Sequence, residues 1–122
     1  SPESLTEKME GGDVAKLLKI AEWEMEKTSK WNRDELSSLF QRIAEVEEIK
    51  LKQILSPFFT AITGSNVSLP LFDSLELLGP DLVRTRIRNA LEKLSKEGVG
   101  LSKKGLKKLE KEYIHKYGNL ID

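Results

Sequence analysis

The chain is all-α by its own patterning, a bundle of five or six amphipathic helices. Three observations lead there. Apolar residues recur with a spacing near 3.6, and no segment alternates with period two for long enough to make a strand. Helix-capping residues, prolines and glycines stand at the ends of the apolar stripes rather than inside them, with one exception at Pro57.

Each element can be justified in turn. The first helix is expected to follow Asp13 as its N-cap, with Val14, Leu17, Leu18, Ala21 and Met25 on one stripe. The second opens at Asn32 with Glu35 three residues on, close to a capping box, and buries Leu36, Leu39, Phe40, Ile43 and Val46. A third carries Leu51, Ile54, Leu55, Phe58 and Ile62. Pro57, which has no N–H to donate, should kink or split it, and Gly64 should stop it. A short helix starts near Pro70, uses Leu71, Leu75 and Leu78, and ends on Gly79. Pro80 then occupies a first-turn position ahead of Val83, Ile87, Ala90, Leu91 and Leu94. Gly98 and Gly100 mark a break before the last helix, Ser102 to about Tyr117. That helix puts Leu106, Leu109 and Tyr113 inside and Lys103, Lys104, Lys107 and Lys108 outside.

With 122 residues, 39% of them hydrophobic and 33% charged, the chain has material for one modest core and ample solvated surface. It begins with Ser rather than Met, which suggests an excised or processed fragment. There is no Cys, so disulfides, thiol chemistry and thiolate zinc sites are excluded. No apolar run approaches the roughly 20 residues of a membrane span, and a cytoplasmic location is expected. Charge divides unevenly: residues 1–49 carry 7 basic against 12 acidic side chains, and residues 50–122 carry 13 against 8. Such asymmetry fits either a surface facing a polyanion or ordinary scatter on helix surfaces.

Catalytic chemistry is thin. His115 is the single histidine and lies in the lysine-rich last helix, where it reads as a surface residue. Glu22, Glu24, Glu26, Glu45, Glu47 and Glu48 fall mostly on polar helix faces and read as solvated. There is no P-loop and no GxGxxG, and no catalytic or metal-binding residue is nominated.

One stretch stands out. TAITGSNVSLPLF, residues 60–72, breaks the helical pattern with Gly, Asn and hydroxyl side chains set between apolar ones. The wider segment from Ile49 to Leu94 contains, in order, Ala61-Ile62-Thr63-Gly64-Ser65, Leu71-Phe72, Glu76-Leu77-Leu78-Gly79 and Ala90-Leu91-Glu92-Lys93-Leu94. Trp31 with Asp34 and Glu35, then Ile49-Lys50, precede it. This ordered set, over roughly residues 28–94, resembles the C-terminal anticodon-binding domain of bacterial glutamyl-tRNA synthetases, which are class I aminoacyl-tRNA synthetases.

The resemblance implies a helical cage that receives the anticodon loop of tRNA for glutamate. Unstacked bases need polar groups for their edges and apolar surface for their faces. On that basis Thr63, Gly64, Ser65, Asn66 and Ser68 would meet base edges, and Leu69, Leu71 and Phe72 would supply apolar surface, with Leu71 and Phe72 open to a core role instead. Arg84 and Arg88 share a helix face at i, i+4 and suit phosphate contact, while Arg86 points about 200° away from Arg84. The family usually carries an Arg two residues after its proline, and this chain has Phe59 there, which either stacks on a base or fills the core. The turn proline is also displaced, to Ser68-Leu69-Pro70.

In this reading residues 1–12 are a leader, 13–94 the matched core and 95–122 a C-terminal extension of a single domain. The segment binds tRNA without charging it. ATP and Mg belong to the catalytic domain of the parent chain, which is not in this segment, and no cofactor is expected here. Lys93-Leu94-Ser95-Lys96 is similar to the KMSKS signature of class I enzymes, but Leu94 lies on a buried stripe and a helix end explains it better. The alternative function is a helical protein-interaction module without RNA binding.

Overall fold

Six helices occupy the described part of the computed structural model, residues 11–63 and 70–120, and no strand is found among those residues. They are α1 (Gly11–Lys27), α2 (Arg33–Glu47), α3 (Leu51–Thr63), α4 (Leu71–Leu78), α5 (Pro80–Lys96) and α6 (Lys103–Tyr117). Residues 64–69, on which part of the expected binding stretch falls, lie outside the description.

Local chemistry sets most boundaries. Asn32 caps α2 by accepting from the Glu35 N–H at 2.9 Å, and Ser102 caps α6 by accepting from the Gly105 N–H at 3.0 Å. Glu48 ends α2 in the left-handed region, at φ 56, with the Ile49 N–H returning to the Ala44 carbonyl at 3.0 Å. Gly79, at φ 86, closes α4 by donating to the Leu75 carbonyl and at once opens α5, whose first residue is Pro80. Asp13 does not cap α1. That helix already includes Gly11, so Asp13 lies in its first turn, where a carboxylate still favours the positive end of the dipole.

Pro57 does not split α3, which runs unbroken from Leu51 to Thr63. An interior proline costs about 3 kcal/mol. Its neighbours Ile54 and Phe58 are fully buried and Ile62 nearly so, and at about 1.5–3 kcal/mol for each such side chain their packing outweighs the break.

The core is one cluster to which all six helices contribute. α1 packs against α5, α2 and α3, and α2 against α4 and α3. Phe40 of α2 meets Phe58 edge-on at 4.8 Å and Phe72 of α4 at 5.6 Å. Trp31, before α2, donates its indole N–H to the Leu75 carbonyl at 2.9 Å and so locks α4 in place.

α6 is held by polar contacts as well as apolar ones. Leu109, Tyr113 and Tyr117 are buried. The Tyr113 hydroxyl donates to Glu24 at 2.5 Å and the Tyr117 hydroxyl to Glu47 at 2.7 Å. The two rings stack at 4.9 Å, and Trp23 of α1 lies 4.8 Å from Tyr113. Arg42 of α2 bridges the set, with an ion pair to Glu24 at 3.6 Å and a hydrogen bond to the Tyr117 carbonyl at 3.3 Å. These contacts overturn part of the sequence reading of the carboxylates. Glu26, Glu45 and Glu48 are exposed as expected, but Glu22 is 4% and Glu24 5% exposed. Both are buried because partners satisfy them, some from α1 itself and some from other helices: Lys19 of α1 and Arg88 of α5 for Glu22, and Lys27 of α1, Arg42 of α2 and Tyr113 of α6 for Glu24.

Candidate nucleic-acid interface

The break between α3 and α4 is framed by three helices. α3 delivers Phe58, Phe59 and Ile62 to its end, α4 begins with Pro70, Leu71 and Phe72, and α5 packs on both. Among the nominated residues, Gly64, Ser65, Ser68 and Leu69 lie outside the described residues, as does Asn66, and Thr63 is described only as the last residue of α3.

Those ends are well anchored. Ile62 is buried at 1% exposure, and its carbonyl accepts a hydrogen bond from the Arg86 guanidinium. The last carbonyls of a helix have no partner within it, so a charged donor from α5 is an efficient way to satisfy one. On the other side of the break, Leu71 is 8% exposed and belongs to the core, with Phe72 half-buried against Phe40. Leu71 thus carries the α4 end of the stretch from beneath and offers little apolar surface outward. Phe59 is half-buried and packs against the same core, with part of its ring left exposed.

The three arginines of α5 divide as helical geometry requires. Arg86 turns to the end of α3. Arg84 pairs with Asp81 of its own helix at 3.5 Å, and its side chain is 41% exposed. Arg88, 64% exposed, pairs with the buried Glu22 of α1 at 3.2 Å. Sequence reasoning placed Arg84 and Arg88 on one face but missed the buried carboxylate beneath Arg88. It also missed the work of Arg86, although the i, i+2, i+4 spacing puts the middle arginine on another face and the end of α3 needed a donor.

The remaining chemistry is spare. His115 is exposed on α6. Among the described residues no group of His, Cys, Asp and Glu could hold a metal ion, and no helix is long and apolar enough to cross a membrane. Leu94 is fully buried, with Lys93 and Lys96 exposed around it and Lys96 paired to Glu92 at 3.1 Å, as a helix end requires. A cleft of about 430 Å³ opens between α1 and α6, with Leu17, Ile20, Leu109 and Tyr117 in its wall, and none of the nominated residues lines it. Tyr113 and Tyr117 resist ionisation: burial comes first, and donation to Glu24 and Glu47 adds to it, so both phenols are pushed well above their ordinary value.

Comparison with known proteins places these helices. The family model of the anticodon binding domain matches residues 1–91, which takes in the described part of α1 to α4, the break at 64–69 and most of α5. A glutamate–tRNA ligase of Marinomonas sp. (strain MWYL1) is 41% identical over 106 residues, 87% of this chain and 21% of that ligase. The glutamate–tRNA ligase of Alcanivorax borkumensis is 42% identical over 101 residues, 83% of this chain and 20% of the ligase. That of Psychrobacter sp. (strain PRwf-1) is 38% identical over 98 residues, 80% and 19% respectively. The chain spans about a fifth of the length of these relatives. With its all-α architecture and a family match over three helix junctions and the break itself, the chain belongs to the anticodon-binding domain family.

Proposed function

We propose that this chain binds the anticodon loop of a glutamate-accepting tRNA and positions that tRNA for ATP-dependent glutamylation by a catalytic domain outside this segment. The observation that carries the reading is the family match over residues 1–91, supported by the similarity to glutamate–tRNA ligases. Its mechanism is positioning. The helix ends on either side of residues 64–69 are anchored in the core, and the Thr, Ser and Asn side chains of the stretch would meet base edges. Arg84 and Arg88 supply positive charge on α5 for phosphates. ATP, with its Mg ion, would act at the catalytic domain and has no role for a residue of this chain.

The test is a gel shift of the 122-residue chain at low salt with tRNA for glutamate, a non-cognate tRNA and heparin as competitor. Preference for the glutamate tRNA over both is expected. Equal competition by heparin would defeat the reading. Replacing Ser68 and Leu69 by Gly should narrow the gap between cognate and mismatched anticodon loops by about 1–3 kcal/mol per lost base contact. Binding to non-cognate tRNA should change much less.

A further inference from the structure

The helix that follows the family match is built as a rigid platform with one charged edge. α6 begins at Lys103, beyond residue 91 where the match ends. At about 100° per residue, Lys104, Lys107, Lys108 and Lys111 fall within an arc of about 100°, roughly opposite the buried arc of Leu109, Tyr113 and Tyr117. All four lysines are exposed. Glu110 and Glu112 of the same helix lie outside the arc, one on each flank. The ion pairs among the described residues involve Lys19, Lys27, Arg33, Arg42, Arg84, Arg88, Lys96 and Lys116 as cations, so none of the four lysines pairs with a carboxylate of a described residue.

The buried side explains why the stripe is unpaired. The acidic first part of the chain meets α6 through Glu24 and Glu47, which take the Tyr113 and Tyr117 hydroxyls, Arg42 and Lys116. Those carboxylates are engaged inside the interface, and the lysines face the other way. A tail that served only to cover the core would need the tyrosines and Leu109 but no uninterrupted cationic edge. Four like charges at i, i+3 and i+4 spacings repel one another at a cost of a few tenths of a kcal/mol per pair, which an anion along the edge would reverse.

We infer that the Lys104/Lys107/Lys108/Lys111 edge of α6 is a second RNA contact, gripping the ribose-phosphate backbone without reading sequence. The partner chemistry is a run of regularly spaced phosphates, matched by a straight edge about 10 Å long between Lys104 and Lys111. This rests on the reading of the chain as a tRNA-binding domain and adds to it a division of labour: the α3–α4 break discriminates, and α6 contributes affinity that depends on salt.

The experiment compares the 122-residue chain with a variant carrying Lys104→Gln, Lys107→Gln, Lys108→Gln and Lys111→Gln, each titrated with tRNA over a range of salt. A control variant carries Lys30→Gln, Lys50→Gln, Lys52→Gln and Lys93→Gln, which removes the same charge from exposed positions elsewhere. Because all eight substituted lysines are exposed, both variants should keep the parent's far-UV circular dichroism and thermal midpoint. The edge variant should lose about three units of the slope of log K against log salt. It should weaken cognate and non-cognate tRNA by the same factor, while the control stays near the parent. An unchanged slope in the edge variant, or an equal loss in the control, overturns the inference while leaving anticodon recognition intact. A parent chain that binds no tRNA overturns both.

Discussion

Tyr113 and Glu24 meet across 89 residues of sequence, the phenol donating to the carboxylate at 2.5 Å in the buried seam between α6 and α1. Glu24 is 5% exposed, and its other partners, Lys27 and Arg42, stand at 3.6 Å. The phenol is thus its shortest contact and one of the links that join the C-terminal helix to the bundle.

Tyr113→Phe keeps the ring stacked on Tyr117 and packed against the tilted Trp23 ring but leaves one oxygen of a buried carboxylate without its phenol donor. The loss should be about 1–3 kcal/mol in urea unfolding. Tyr117→Phe should cost less, because Glu47 retains Lys116 and has 18% of its side chain exposed. Equal losses for the two would mean that burial of the carboxylate does not set the cost.

Alkaline pH should loosen the same seam. Both phenols have folded-state values raised above their unfolded value near 10, so the folded state holds their protons where the unfolded chain gives them up. Their contribution is fully present below about pH 10 and is lost as pH climbs past it. Thermal midpoints measured from pH 8 to 11 should fall at the upper end, accompanied by the tyrosinate absorbance change. The Tyr113→Phe/Tyr117→Phe double variant should show a flatter fall. A parent and double variant with parallel pH curves would remove the tyrosines from the explanation.

Arg86 and Arg88 should separate stability from binding. Arg86→Ala strips the Ile62 carbonyl of its donor at the edge of the α3–α4 break, with an expected loss of about 1.5–3 kcal/mol. Arg86→Lys should recover little of it, since an ammonium lacks the planar fork. Arg88→Ala leaves Glu22 with Lys19 alone and, because the guanidinium is largely exposed, should cost nearer 1 kcal/mol. A tRNA-binding defect in Arg88→Ala therefore counts as loss of a phosphate contact only where it exceeds the small loss of folded protein, read from the unfolding curve of the same sample.

Phe59→Arg tests the position where the family resemblance leads to the expectation of an arginine. The ring is half-buried, so an arginine can lay its stem on the core and carry its head to solvent. The variant should fold, with its thermal midpoint lowered by the equivalent of about 1–2 kcal/mol. Its affinity for glutamate tRNA should rise. Loss of the cooperative transition would show that the head cannot leave the core. A folded variant with unchanged tRNA affinity would show that the position does not face RNA.

Much of this protein was legible in the linear chain because its signals are local. Asn32 and Ser102 cap the helices they precede, Gly79 and Pro80 mark a junction with backbone constraints of their own, and the 3.6-residue stripes name Leu36, Phe40, Ile87 and Leu94 as core. The motif order from Ala61 to Leu94 pointed to the anticodon-binding family for the same reason, as a property of sequence neighbours. What the tertiary structure decided were the cases where distant residues compete with a local rule. Pro57 sits in an unbroken helix because Ile54, Phe58 and Ile62 are packed on the core, which nothing within one turn of the proline specifies. Glu22 and Glu24 look like surface acids until Arg88, Arg42 and Tyr113 arrive from α5, α2 and α6 to make their burial affordable. Arg86 is one of three similar arginines until the end of α3 comes within its reach. A buried charge is permitted only where a partner from elsewhere in the chain completes it, and the fold alone determines that meeting.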